Sequence, residues 1–171
     1  QGRFNLNNLL DDTGVENELA RRQFERLLNH VEIDPALAGA VIDWLDPDTD
    51  MRFPTGGEDV AYSGSDPPYR TANAMITSTS ELMAISGFDR EMYDRLAPYV
   101  TVLPYGTKLN VNTASAVVLA SLSDDIDLST EAGEIYFHKV EHILQQMHEA
   151  NESVAQLQAV PRGILRVHSR M

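Results

Sequence analysis

Cysteine is absent from the 171 residues, which excludes disulfides, zinc–thiolate sites and cysteine nucleophiles. The absence leaves the compartment open, because a periplasmic protein can also lack cysteine. No apolar run approaches the ~20 residues needed to span a bilayer, and Gln1-Gly2-Arg3-Phe4 does not read as a signal peptide. Any membrane anchor is therefore expected outside these residues. Basic residues are scarce, 13 Lys and Arg against 26 Asp and Glu, for a formal charge of −13. So acidic a chain repels phosphate backbones, which argues against nucleic-acid partners. The same charge suits a bound cation or a partner with a basic face. Aromatics are few, with Trp44 the single tryptophan. Neither a G-x-S-x-G nucleophile elbow nor a phosphate-binding glycine loop is present, and no catalytic site is expected.

What the chain does have is a hydrophobic fraction of 43%, enough to build a core for one domain or two small ones. The leading residues, 1–12, are rich in Asn and Leu and read as an extended segment. Thr13 and Glu16 have capping-box spacing, and Ala20, Phe24, Leu27, Leu28 and Val31 recur at helical period, predicting a helix over 13–31. Asp34-Pro35 starts a second helix ending near Leu45. Residues 46–73 read as loop. Ser78 and Glu81 cap a short helix that Gly87 stops, and Asp89 caps another that Pro98 ends. Val100–Leu103 reads as a strand, with Leu109 and Val111 as its returning partner after the Pro104-Tyr105-Gly106 turn. Asn112 or Thr113 caps a helix through Leu122. A longer helix is predicted over 130–149, and Ile164–Val167 alternates like a strand.

The segment 43–73 is the chemically informative one. Asp46, Asp48 and Asp50 stand at alternate positions, and Glu58 and Asp59 follow Gly56-Gly57. Calcium is a hard cation that takes six to eight oxygens in flexible geometry, and carboxylates so spaced can converge on one. An EF-hand is excluded, since Met51 stands where that loop needs glycine and Gly57 where it needs glutamate. On spacing alone, a solvated acidic loop with Asp46 or Asp48 capping turns is an equal reading. Trp44 reads as core or as a lid on this loop. Tyr62 and Tyr69, flanking Pro67-Pro68, read as packing over the loop or as a partner surface.

Several stretches, in order, resemble one family. Gly2-Arg3-Phe4-Asn5-Leu6-Asn7-Asn8-Leu9, Asp43-Trp44-Leu45-Asp46, Gly57-Glu58-Asp59, Pro67-Pro68-Tyr69 and Ala72-Asn73 are similar to segments of the type II secretion protein K family, the large minor pseudopilins. Ser80-Glu81-Leu82, Leu96-Ala97-Pro98-Tyr99-Val100-Thr101-Val102 and Asn110-Val111-Asn112-Thr113-Ala114 continue the resemblance to about residue 122. The resemblance implies a mainly α fold with small β elements, a helical domain inserted into a pilin-like α/β fold whose pilin part is incomplete here. Residues 1–12 would lead in from the pilin-like part, 13–150 would form the insert, and 151–171 would return to the sheet. It implies calcium in the insert, with Asp46, Asp48, Asp50, Glu58 and Asp59 as ligands by position. It further implies a periplasmic protein anchored in the inner membrane and assembled with two smaller minor pseudopilins, the I and J types. Their complex would cap or initiate the pseudopilus and press on secreted exoproteins and the outer-membrane channel.

Two other readings compete. His138-Lys139-Val140-Glu141-His142 matches the H-x-x-E-H zinc-peptidase pattern, but five-residue patterns recur by chance and exposed polar residues on an amphipathic helix are the favoured account. Asn110–Ala114 before a short helix resembles the opening of a helix-hairpin-helix DNA module. The acidic Ser123-Asp124-Asp125 that follows, without glycine, is wrong for phosphate.

Overall fold

The computed structural model describes residues 2–123. The predicted helix over 130–149, the strand at Ile164–Val167, the His138–His142 motif and the return segment 151–171 lie outside the described residues. Within them the architecture is mainly helical, with one two-stranded sheet.

That sheet differs from expectation. Strand β2 (Val100–Thr101) pairs in parallel with β1 (Phe4–Asn5), Phe4 opposite Val100 and Asn5 opposite Thr101. Leu109 belongs to no strand, and Val111–Thr113 is a single 3-10 turn capped by Asn110. The leading segment is likewise only briefly extended: after β1 it coils into a 3-10 turn, Leu6–Leu9. The reason lies in the asparagines. The Asn5 side chain accepts from Leu103 N at 2.9 Å and donates to Pro104 O at 3.1 Å. Asn8 accepts from Gly106 N and donates to Thr107 O, both at 2.9 Å. Backbone groups that a returning strand would have needed are thus taken by side chains.

Helix α1 (Glu18–His30) starts later than predicted, with Asn17 as its N-cap accepting from Ala20 N at 3.3 Å. Thr13 is engaged elsewhere: its N–H and hydroxyl both donate to Asp11 Oδ1, at 2.8 and 2.7 Å, closing a separate turn. Glu16 sits in an antiparallel bridge with Leu10. At Asp34-Pro35 the start is as expected. Asp34 accepts from Ala36 N at 2.9 Å, a 3-10 turn covers Pro35–Leu37, and α2 (Ala38–Leu45) follows with every residue buried. A short helix, α3 (Asp59–Tyr62), interrupts the loop 46–73. The Ser78–Glu81 capping box is present and opens a 3-10 helix, Thr79–Ala84. Burial works to raise the Glu81 carboxyl, but donors from Thr77 and Ser78 outweigh it and hold its pKa below the usual value. Gly87, at φ +89°, ends this unit in the left-handed region. Asp89 caps α4 (Arg90–Leu96) through Met92 N at 2.7 Å. Ser115, rather than Asn112 or Thr113, caps α5 (Ala116–Ala120).

One core joins these pieces. Phe24, Leu27 and Leu28 of α1 and Val41, Ile42 and Leu45 of α2 share it with Leu6, Leu9, Leu82, Ile85, Leu96, Val100 and Val118. Phe4 stacks on Phe24 with ring centroids 5.3 Å apart, so the sheet is seated on α1. Across this core Asn7 is 5% exposed and well partnered. It accepts from Ile76 N at 2.9 Å and donates to Ile76 O at 3.0 Å and Leu103 O at 2.9 Å.

Replacing Asn7 with leucine keeps the branched shape, though with more bulk, and strands three backbone groups, two of them buried. Each unpaired group costs roughly 1–3 kcal/mol, so Asn7→Leu is expected to lose about 3–5 kcal/mol of unfolding free energy by urea denaturation. A loss under about 1 kcal/mol would contradict this placement.

Candidate functional site in the acidic loop

The last turn of α2 places Asp43 and Asp46 three residues apart, hence on one face. Both side chains are fully buried. Unpaired carboxylates in such a place cost several kcal/mol each, and Arg52 supplies the pairing. Its Nη1 donates to Asp43 Oδ1 at 2.8 Å and to Asp46 Oδ2, and its Nε donates to Glu16 Oε2 at 3.1 Å. Its backbone N–H reaches Asp43 Oδ2 at 2.9 Å. Burial disfavours the guanidinium charge, but the bonds to Asp43 and Asp46 outweigh it and raise the arginine pKa above its ordinary value. Chain return is tight here. A Cβ on Gly56 would stand 2.2 Å from Asp43 Oδ2 and 2.3 Å from the Arg52 carbonyl oxygen, so only glycine fits.

Beyond this pairing, Asp46, Asp48 and Glu58 each offer one oxygen, all within 4.8 Å of one another. Asp46 Oδ1 and Glu58 Oε1 are buried and accept no hydrogen bond. Burial raises the Asp46 carboxyl above its usual value, with Arg52 opposing and the Asp48 and Asp43 charges adding to the rise. Burial, then the charges of Asp43 and Asp46, raise Glu58 in the same way. Three converging carboxylates, two of them with a buried oxygen that lacks a donor, are what a hard cation neutralises, and an all-oxygen set suits calcium over softer metals. The residues present therefore fit that ion.

The five carboxylates singled out in the sequence divide. Asp46, Asp48 and Glu58 converge, whereas Asp50 and Asp59 lie outside the convergent group. Asp50 is exposed and gives its backbone N–H to Asp48 Oδ1 at 2.8 Å, which fixes Asp48 in a turn. Asp59 Oδ1 accepts from the N–H and hydroxyl of Thr71, at 3.2 and 3.1 Å, and pins the far end of the loop. Asn73 donates to the Asp48 carbonyl at 3.1 Å, and its own Oδ1 is buried without a partner. Asp43, Arg52 and Asn73 belong to this site although spacing does not single them out. A usable signal exists for Arg52, the single basic residue between Asp43 and Tyr69.

Aromatic packing fastens the loop to the helices. Trp44 is core, 6% exposed, and its indole N–H points to Glu81 Oε2 at 3.4 Å. Tyr62 meets Trp44 edge-on at 5.4 Å, and Tyr69 lies on Tyr62 at 5.1 Å. The Tyr69 hydroxyl donates to Ala84 O at 2.7 Å.

Comparison with known proteins places this arrangement in context. Residues 2–105 match a family model described as type II secretion system (T2SS), protein K. Type II secretion system protein K of Aeromonas hydrophila is 38% identical over 146 residues, covering 75% of this chain and 44% of that protein. Its counterpart from Pseudomonas aeruginosa is 40% identical over 125 residues, covering 71% of this chain and 37% of that protein. The chain thus spans about two fifths of the length of these curated relatives. Among solved structures, one chain of the GspK-GspI-GspJ complex from the enterotoxigenic Escherichia coli type 2 secretion system superposes with a TM-score of 0.63. It is 27% identical, and the match covers 70% of this chain and 46% of that one.

Gly56→Ala tests the close approach of the loop to Asp43. Overpacking against backbone and a buried carboxylate is expected to cost about 2–3 kcal/mol, read as a lowered urea midpoint; an unchanged midpoint would show that the loop does not pass there.

Proposed function

The chain belongs to the protein K family of type II secretion systems, and from that premise we propose that it is the helical part of a minor pseudopilin at the tip of the pseudopilus. The match over residues 2–105 carries this reading. In it, residues 13–150 are a helical domain inserted into a pilin-like fold, with 1–12 leading in and 151–171 leading out. The full-length protein is anchored in the inner membrane and faces the periplasm. It assembles with the I-type and J-type minor pseudopilins; the similar Escherichia coli chain was solved in a complex of that composition, GspK-GspI-GspJ, which supports this partnership. The assembly caps or initiates the fibre, and growth beneath it presses the tip against exoproteins and the outer-membrane channel. The protein's work is assembly and contact, with no bond made or broken.

Calcium is proposed as the resident cation of the acidic loop. What supports it is the convergence of Asp46, Asp48 and Glu58 together with the two buried oxygens that accept no hydrogen bond. The ion would bind there, cancel the repulsion among the three carboxylates and tie the end of α2 to the start of α3. Its role in this reading is structural.

Full-length tagged protein isolated from membranes of a secreting cell is expected to bring down the I-type and J-type pseudopilins. Recovery of neither, with the tagged protein folded, would overturn the assembly reading. For the cation, excess calcium at ~100 times its dissociation constant adds ~2.7 kcal/mol, about 5–10 °C in melting temperature for a chain this size. An Asp48→Ala, Glu58→Ala double variant is expected to lose that rise; a rise of equal size in the variant places the ion elsewhere.

A further inference from the structure

Arg52 stands out among the charged groups, because a cation at the edge of a cation site is not what ligand chemistry asks for. Its guanidinium serves three carboxylates at once, those of Glu16, Asp43 and Asp46, with its side chain 25% exposed and the two aspartates at zero. It contacts Asp46 through Oδ2 alone, while Oδ1 of the same carboxylate has no donor. Asp46 is therefore shared. One oxygen faces a cation tethered to the chain, and the carboxylate also belongs to the group in which Asp48 and Glu58 converge.

We infer that Arg52 is a built-in counter-cation that competes electrostatically with the calcium ion of the acidic loop, sustaining the fold when the ion is absent and weakening the site's hold on it. The inference rests on the calcium reading above. Physically, a guanidinium and a divalent ion bound to opposite oxygens of one carboxylate repel each other, and each reduces the negative charge that attracts the other. Removing Arg52 leaves Asp43 and Asp46 buried and unpaired, a large penalty in the ion-free state. The ion-bound state is penalised less, because the ion still neutralises Asp46. Arg52 also does what an ion in the loop does not. Through Glu16 it connects to Arg21, at 2.9 Å, and through Arg21 to Glu25, at 2.7 Å, so the tethered charge fastens the loop to α1. The cation paired with Asp43 and Asp46 thereby sets how far folding depends on calcium.

The test compares the wild-type chain with Arg52→Gln, each melted in chelator and in excess calcium, with calcium affinity titrated at fixed ionic strength. The variant is expected to melt lower in chelator and to show a larger calcium-induced rise than the wild type. Its calcium dissociation constant is expected to fall on the order of tenfold, the effect of one charge removed from within several ångströms. A purely structural Arg52 would lower both melts equally, so an equal or smaller rise in the variant overturns the inference while leaving the site. No rise in either protein removes the cation site and the inference with it. Where Arg52→Gln fails to fold in both conditions, Arg52→Lys decides: it keeps a charge without the fork. A calcium dissociation constant close to that of the wild type supports the competition of charges, and one lowered on the order of tenfold although the charge is kept overturns it.

Discussion

A single buried carboxamide holds three distant stretches of chain at fixed distance. Asn7 bonds to both backbone groups of Ile76 and to the carbonyl of Leu103, and its neighbours Asn5 and Asn8 extend the grip through Thr107. Regular sheet could not do this, because the segments concerned run only briefly beside one another. A carboxamide carries donor and acceptor together and satisfies a peptide unit as another peptide would. The parallel pairing of β1 with β2 and the seat of Phe4 on Phe24 follow from where these asparagines hold the leading segment.

The acidic loop is built on the opposite principle, keeping like charges close. Asp43 and Asp46 are drawn inward because α2 is buried along its whole length, and Glu58 is brought to them by α3 and by the Tyr62–Tyr69–Trp44 packing. Aromatic burial fixes the positions, and electrostatics must be satisfied within them. Arg52 answers part of that demand and leaves two carboxylate oxygens without a donor.

Local signals in the sequence are the legible ones. Asp34-Pro35, the Ser78–Glu81 box, the Gly87 stop and the Asp89 cap each depend on groups within a few residues, and each is found. The misreadings concern partners far away or already taken. Val100–Thr101 reads as half of a local hairpin, yet pairs with Phe4–Asn5 across nearly the whole described chain. Thr13 has the spacing of a helix cap, yet Asp11 claims it. In the site, alternation points equally to Asp46, Asp48 and Asp50, but side-chain direction depends on turns that spacing does not encode. Asp50 spends its backbone on Asp48 and faces solvent. Arg52 carries no ligand signal; its isolation among acidic residues marks it in the sequence, and what it pairs with becomes visible once Asp43 is known to be buried.

The parallel sense of the β1–β2 pair has a mechanical side. Everything from Leu6 to Tyr99 is an excursion that begins and ends at one seam, where two short strands run in the same direction. Tension applied between the chain before β1 and the chain after β2 pulls these strands past each other lengthwise. The seam's hydrogen bonds then share the load together, instead of parting one at a time as in a hairpin pulled from its open end. The asparagine bonds to residues 103–107 lie just beyond the seam and add to the same resistance. Load entering at one end of the excursion and leaving at the other is carried across this neck, and helices α1 to α4 and the acidic loop are spared it.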